Sequence, residues 1–198
     1  MRTETINIYT FDELSVAAKE KALETYRDWN VDGFDWWDCV YDDAKHIAAL
    51  MGMDIKDIWF SGFWSQGDGA SFTGRYGHRP GSVKAVMAYA PQDTELHEIA
   101  KDLQAVQREN FYQLYASVET RGSYSHSGTM QVTVERESPT YQPPTSDAEE
   151  RIRDPLCRLA DWIYGRLEEE HEYQTSDDSV ADSFRANEME FTEGGSFY

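Results

Sequence analysis

Residues 60–72, FSGFWSQGDGASF, hold the side chains that come nearest to a catalytic or ligand-cradling arrangement in this chain. Ser65, Asp68 and the later His78 are the types a hydrolase uses as nucleophile, acid and base. Such a nucleophile wants a small-residue elbow between strand and helix, with oxyanion donors beside it, whereas the residues after Gly69 are strand-like. A phosphate cradle wants a Lys–Ser/Thr pair and a following helix, and no lysine stands near Gly67 or Gly69. Calcium ligation by Asp68 would need further acids at two-residue spacing, which are missing. Gln66-Gly67-Asp68-Gly69 does supply the positive-φ positions of a tight turn. A hairpin turn is therefore expected, with Trp64 and Phe72 as cross-strand neighbours or near neighbours. Trp64, Gln66 and Asp68 would form its recognition tip.

Elsewhere the chemistry-bearing residues are scattered. His46, His78, His97, His126 and His171 form no HExxH or HxH motif and no Cys/His pair at metal spacing, so neither a metal nor another cofactor is expected. The acids are better ordered. Asp35, Asp38 and Asp42 fall at i, i+3 and i+7 of an expected helix, rising about 4.5 and then about 6 Å along its axis. Duplex DNA sets one phosphate per about 3.4 Å on each strand, so such a row loosely imitates a phosphate backbone. A second acidic region runs from Asp161 to the end, where eleven acids face Arg166 and Arg185, and Asp177, Asp178 and Asp182 share one short helix there. Trp36, Tyr41 and Trp162 lie beside the apolar stripes, where aromatics could anchor an Arg-rich surface by cation–π contact. The plainer alternative is a set of solvated helix faces, with Glu95, Glu98 and Asp102 as a third example.

The totals limit the partners. With 37 acids against 18 Lys plus Arg, the net charge is −19. This argues against nucleic acid or an anionic membrane as direct partner and favours a basic one. At 40% hydrophobic and 14% aromatic, the 198 residues can bury a core. Cys39 and Cys157 sit among apolar neighbours and read as small buried hydrophobes, which suits a reducing compartment. No signal-like apolar segment or membrane-length run is present, so a cytoplasmic protein is expected.

These residues must be positioned by a mixed set of elements. TETINIYTF reads as a strand, and the helix after it has Asp12 as cap and Leu14, Ala18, Ala22 and Tyr26 as stripe. A second helix opens near Phe34, carries Trp37, Val40, Ala44, Ile47 and Met51, and closes at Gly52. DIKDIWFSGFW and GASFTGRYG are paired strands, followed by the short apolar piece VKAVMAYA. A helix with Leu96, Ile99, Leu103 and Val106 on one face follows, then the strands FYQLYASVETRG and GTMQVTVERE. After the Pro-containing stretch 138–149 come a helical stripe from Ile152 to Leu167, with Pro155 kinking it or opening its second half, and a short helix that ends the regular structure. An α+β fold is expected: a mainly antiparallel sheet of about five strands packed with amphipathic helices, with a helical C-terminal part. The core domain would be 1–138, and 146–198 an acidic helical subdomain packed on it.

The blocks IYTFDELSVAAKEKA, WWDCVYDDAKHIA, FSGFWSQGDGASF, VKAVMAYAPQDTELHEIA and TSDDSVADSFRANEMEFTEGG together resemble a family of small proteins of tailed phages and prophages, sometimes labelled antitoxin-like. The resemblance covers nearly the whole chain and brings no catalytic residues. It implies a phage product acting in the cytoplasm of a bacterial host cell. The leading expectation is a non-enzymatic inhibitor of a host defence complex, anti-CRISPR-like or anti-restriction-like, that fills a basic nucleic-acid-binding groove as a DNA mimic. Asp35, Trp36, Asp38, Asp42, Asp177, Asp178 and Asp182 would make the contact with that basic protein or nucleoprotein. The alternatives are an interaction module binding a toxin or host regulator through the 64–69 turn, and a small hydrolase centred on Ser65, Asp68 and His78.

Overall fold

The computed structural model describes residues 6–33, 35–122 and 124–198. The chain falls into two compact units, residues 39–168 and residues 1–38 with 169–198. The sequence reading of a 1–138 core and a 146–198 subdomain divides the chain differently, because it follows chain order.

The larger unit is built on a four-stranded antiparallel sheet, β2 (Met53–Ser61), β3 (Gly69–Gly77), β4 (Leu114–Thr120) and β5 (Met130–Arg136), in that spatial order. Buried and exposed residues alternate along β4 and β5, so along these strands one face of the sheet is core and the other open, while on β3 that second face is closed at Ser71, which is buried. Ile55, Ile58, Phe72, Tyr76, Leu114 and Val118 lie on the buried side. Lys56 is an extra residue in β2 where the register with β3 shifts. Gly74 is required beside it: a Cβ there would lie 2.1 Å from the Asp54 carbonyl oxygen.

Apolar stripes on the helices complete this core. They are Val40, Ala44, Ile47 and Met51 of α2 (Asp38–Met51), Leu96, Ile99, Leu103 and Val106 of α4 (Thr94–Glu109), and the buried stripe from Ile152 to Leu167 of α5 (Ala148–Gln174). Helix α5 runs unbroken through Pro155. VKAVMAYA is the helix α3 (Ser82–Tyr89), packed on α4. Gly52 ends α2 at φ +93°, and a Cβ there would meet the Gly77 carbonyl oxygen at 2.2 Å. Two buried amides pin the α4–β4 junction. Gln107 donates to the Leu114 carbonyl (2.8 Å) and accepts from its N–H (3.1 Å), and Asn110 accepts from the Thr145 N–H (3.0 Å). Their partners account for the burial of both polar side chains.

In the smaller unit, β1 (Ile8–Thr10) pairs antiparallel with β6 (Glu190–Thr192), so regular structure continues past the last expected helix. Residues 3–5 of the expected first strand lie outside the described residues. A 3-10 turn, Phe11–Glu13, leads to α1 (Val16–Thr25), whose cap is Ser15, accepting from the Ala18 N–H, rather than Asp12. Asp12 instead receives the guanidinium of Arg185 (3.0 Å) from α6 (Asp177–Ala186). The core here is aromatic: Phe11, Phe184 and Phe191 meet at 5.2–6.0 Å, and Tyr26 stacks on Phe197 at 3.7 Å. The expected stripe through Leu14, Ala18 and Ala22 is buried against this cluster.

Among the described residues, six helices of regular α type, the antiparallel four-stranded sheet and the two-stranded ribbon make the fold α+β, with a helical C-terminal part.

Candidate functional site

The 60–72 stretch is a hairpin connection, and a longer one than its glycines suggest. The last β2–β3 pair is Ser61 with Gly69, which leaves residues 62–68 as the loop. A turn inside it is closed by the Asp68 N–H to the Ser65 carbonyl (3.1 Å). The Asp68 carboxylate accepts from the Ser65 N–H (2.6 Å), and Gly67 takes φ +96°. Asp68 is thus a turn-forming acid. Phe63 packs between Phe60 (5.7 Å) and Tyr164 of α5 (5.5 Å), and the Tyr164 hydroxyl donates to the Gly62 carbonyl (3.0 Å). Gly69 admits His126, whose Cβ would stand 2.6 Å from any Cβ there. Trp64, 77% exposed, and Gln66 project at the tip.

Trp64 is not opposite Phe72, which pairs with Ile58, because the loop absorbs Trp64 before the strand register begins. His78 follows β3 at the end remote from Asp68, about 26 Å away by strand rise, and its ring faces Tyr112 at 4.4 Å. Burial lowers the His78 pKa. Ser65 and Asp68 meet in the loop, but His78 is not brought to them.

The acidic rows differ from one another in what holds them. Helix α2 starts at Asp38, so Asp35 lies in the turn before it and only Asp38 and Asp42 share the helix. All three are exposed, and among the described residues none makes an ion pair with Lys or Arg. Asp38 stands in the first turn, where the helix dipole favours a carboxylate, as do Asp177 and Asp178 in α6. Asp177 is paired with Arg27 (2.9 Å) and Asp182 with Arg185 (2.8 Å), so α6 presents less unpaired charge than its sequence suggests. On α4, Glu95, Glu98 and Asp102 are not simply solvated. Arg158 of α5 reaches all three, at 2.7, 3.3 and 2.8 Å.

The aromatics expected beside these acids are largely engaged within the protein. Trp36 is half-buried against Trp37 (5.6 Å) and His171 (5.4 Å), and Tyr41 faces Phe60 at 6.5 Å. The Trp162 indole donates to Asp93 (2.8 Å), whose other carboxylate oxygen caps α4 at the Leu96 N–H (3.1 Å). Cys39 is exposed rather than buried, because it lies off the α2 stripe, and Cys157 is half-buried.

The open face of the four-stranded sheet is a surface the sequence reading did not single out. Arg75 lies at its middle, opposite Asp54 of β2 and Ser117 of β4. Two shallow depressions share Arg75 and Ser117. One, of about 670 Å³, includes Asp57, Trp59 and Glu119; the other, of about 330 Å³, includes Tyr115, Glu135 and Glu137. The signal was present in the polar alternates of LYASVET and MQVTVER, but strand order was needed to place them side by side.

Residues 36–177 match the model of a family described as a domain of unknown function (DUF8835), and the chain belongs to that family. No curated protein and no solved structure matches it. Among the described residues no helix is long and apolar enough to cross a membrane, and no group of three or more His, Cys, Asp or Glu is placed to hold a metal ion.

Proposed function

We propose that this protein acts by binding a basic protein partner and occluding its cationic surface, by steric and electrostatic means rather than by catalysis. The observation that carries this is the state of Asp35, Asp38 and Asp42. They remain exposed and without an ion-pair partner among the described residues, while arginines hold the acids of α4 and two of α6. In a chain of net charge −19, such carboxylates are available to Lys and Arg of another molecule. Asp38 and Asp42 rise about 6 Å along α2, close to two phosphate steps of a DNA strand at about 3.4 Å each. Together with the resemblance to phage and prophage proteins, this favours a phage inhibitor. It would act in the host cytoplasm, filling the nucleic-acid groove of a defence complex of the CRISPR or restriction type.

The test is a tagged pull-down from nuclease-treated bacterial lysate, washed at low and high salt. A nucleic-acid-binding protein retained at low salt and shed at high salt is expected, and the triple variant Asp35→Lys/Asp38→Lys/Asp42→Lys should fail to retain it. Retention by that variant would remove the α2 surface from the proposal, and a partner that is acidic and survives high salt would overturn the basic-partner mechanism. The exposed tip at Trp64 and Gln66 favours a second function, as an interaction module for a toxin or host regulator. There Trp64→Ala would abolish binding and the charge reversals would not.

A further inference from the structure

We infer that the open face of the β2–β5 sheet is a docking surface for an extended, Lys/Arg-rich segment of the partner. The inference rests on the reading above that the partner is basic, and it adds a second contact surface to that of Asp35, Asp38 and Asp42.

Charge and shape select this occupant. Asp54, Asp57 and Glu119 line the larger depression, and Glu135 and Glu137 the smaller. The cations lining them are Arg75 and Lys56, and the Lys56 ammonium stands 3.7 Å from Asp57. Carboxylates are in excess on both sides of Arg75. Two aromatic side chains lie among them, Trp59 at 42% and Tyr115 at 46% exposure. An aromatic face beside a carboxylate is what holds a guanidinium or ammonium group, by cation–π contact and an ion pair together. A polyanion meets the wrong charge here, and an apolar helix finds no continuous apolar groove.

The segment is extended because of how the strands set out these groups. Trp59 pairs with Ser71 and Tyr115 with Gly77, so they lie six residues apart along β3 and two strands apart across the sheet. That is about 20 Å along the strands and about 10 Å across them. Roughly seven residues of extended chain span the distance, with alternate side chains directed at the sheet. Arg75 at the centre repels a cation placed directly above it, so the basic side chains must straddle it, one set toward Trp59 and Asp57 and one toward Tyr115 and Glu135.

A fluorescein-labelled peptide of alternating Arg and Ser, titrated with the full chain at near-physiological salt and read by anisotropy, tests this. Glu119→Lys/Glu135→Lys should weaken binding about tenfold or more, and Trp59→Ala/Tyr115→Ala about fivefold with no change in net charge. Glu20→Lys/Glu24→Lys, at exposed positions of α1, alters net charge by the same amount as the first pair and should change affinity less than about threefold. Thermal melts of each variant confirm folding, which exposed positions on an open face should preserve. Equal weakening by the two reversals, with the aromatic pair unchanged, would overturn the docking surface and leave the basic-partner proposal standing. So would a wild-type protein that ignores the peptide yet retains a basic partner in the pull-down. Failure of both experiments would remove the proposed function as well.

Discussion

Arg158 offers the sharpest test of how this acidic chain holds its own charge. Its guanidinium reaches Glu95, Glu98 and Asp102, and these carboxylates keep its pKa above the ordinary arginine value, chiefly through the Glu95 hydrogen bond. Arg158→Met retains much of the stem packing and removes the charge. Each exposed or half-exposed pair is worth about 0.2–1 kcal/mol. Once the guanidinium is gone, the i,i+3 pair Glu95/Glu98 and the i,i+4 pair Glu98/Asp102 repel by about 0.2–0.5 kcal/mol each. A loss of about 1–2 kcal/mol is expected, or a Tm lowered by about 2–8 °C for a chain of this length. Scanning calorimetry at low salt should show it. At about 1 M salt, where screening acts within about 3 Å, the deficit should shrink by half or more. Glu95→Gln/Glu98→Gln/Asp102→Asn in the Arg158→Met background should recover part of it, since the repulsion is then absent. An unchanged Tm at low salt would refute the ion-cluster account, and a deficit insensitive to salt would show that Arg158 acts through packing.

Two further outcomes follow from the sheet. Gly74→Ala places a methyl group against the Asp54 carbonyl oxygen at the β2 bulge, and should cost about 3 kcal/mol in a urea titration; a loss under about 1 kcal/mol would mean the bulge yields easily. Burial pushes the Tyr76 phenol up to about 12, against a smaller opposing effect of its hydrogen bond with Gln107. The unfolded chain therefore releases that proton first, near pH 10, and stability present below pH 10 falls as pH rises toward about 12, by about 3 kcal/mol in all. Urea midpoints at about pH 9 and about pH 11 should fall less steeply with pH in Tyr76→Phe than in the wild type. Equal slopes would contradict the assignment.

Local pattern was enough for most of the elements. The α4 stripe through Leu96, Ile99, Leu103 and Val106 and the β4 segment LYASVET were readable because side-chain periods of 3.6 and 2 are properties of consecutive residues. VKAVMAYA was too short and too uniformly apolar for periodicity to distinguish a helix from a strand. The α1 cap is Ser15 because the 3-10 turn Phe11–Glu13 holds Asp12 ahead of the helix start, where it meets Arg185, 173 positions away in sequence. The two-stranded ribbon of β1 and β6 joins segments near opposite ends of the chain, a pairing no local window contains.

The candidate site divides in the same way. That the protein is strongly acidic, that residues 60–72 make a hairpin connection, and that Asp38 and Asp42 share a helix all follow from composition and short-range order. Which carboxylates remain available was decided only in three dimensions, since ion pairing depends on what lies within about 4 Å in space. Arg158 takes the α4 row from a different helix, Arg27 takes Asp177 from across its unit, and Asp35, Asp38 and Asp42 keep no such partner among the described residues. The open sheet face belongs wholly to the second category. Asp54, Arg75, Ser117 and Glu135 come from four separate strands, and strand order together with register, set by burial of the opposite face, makes them one surface.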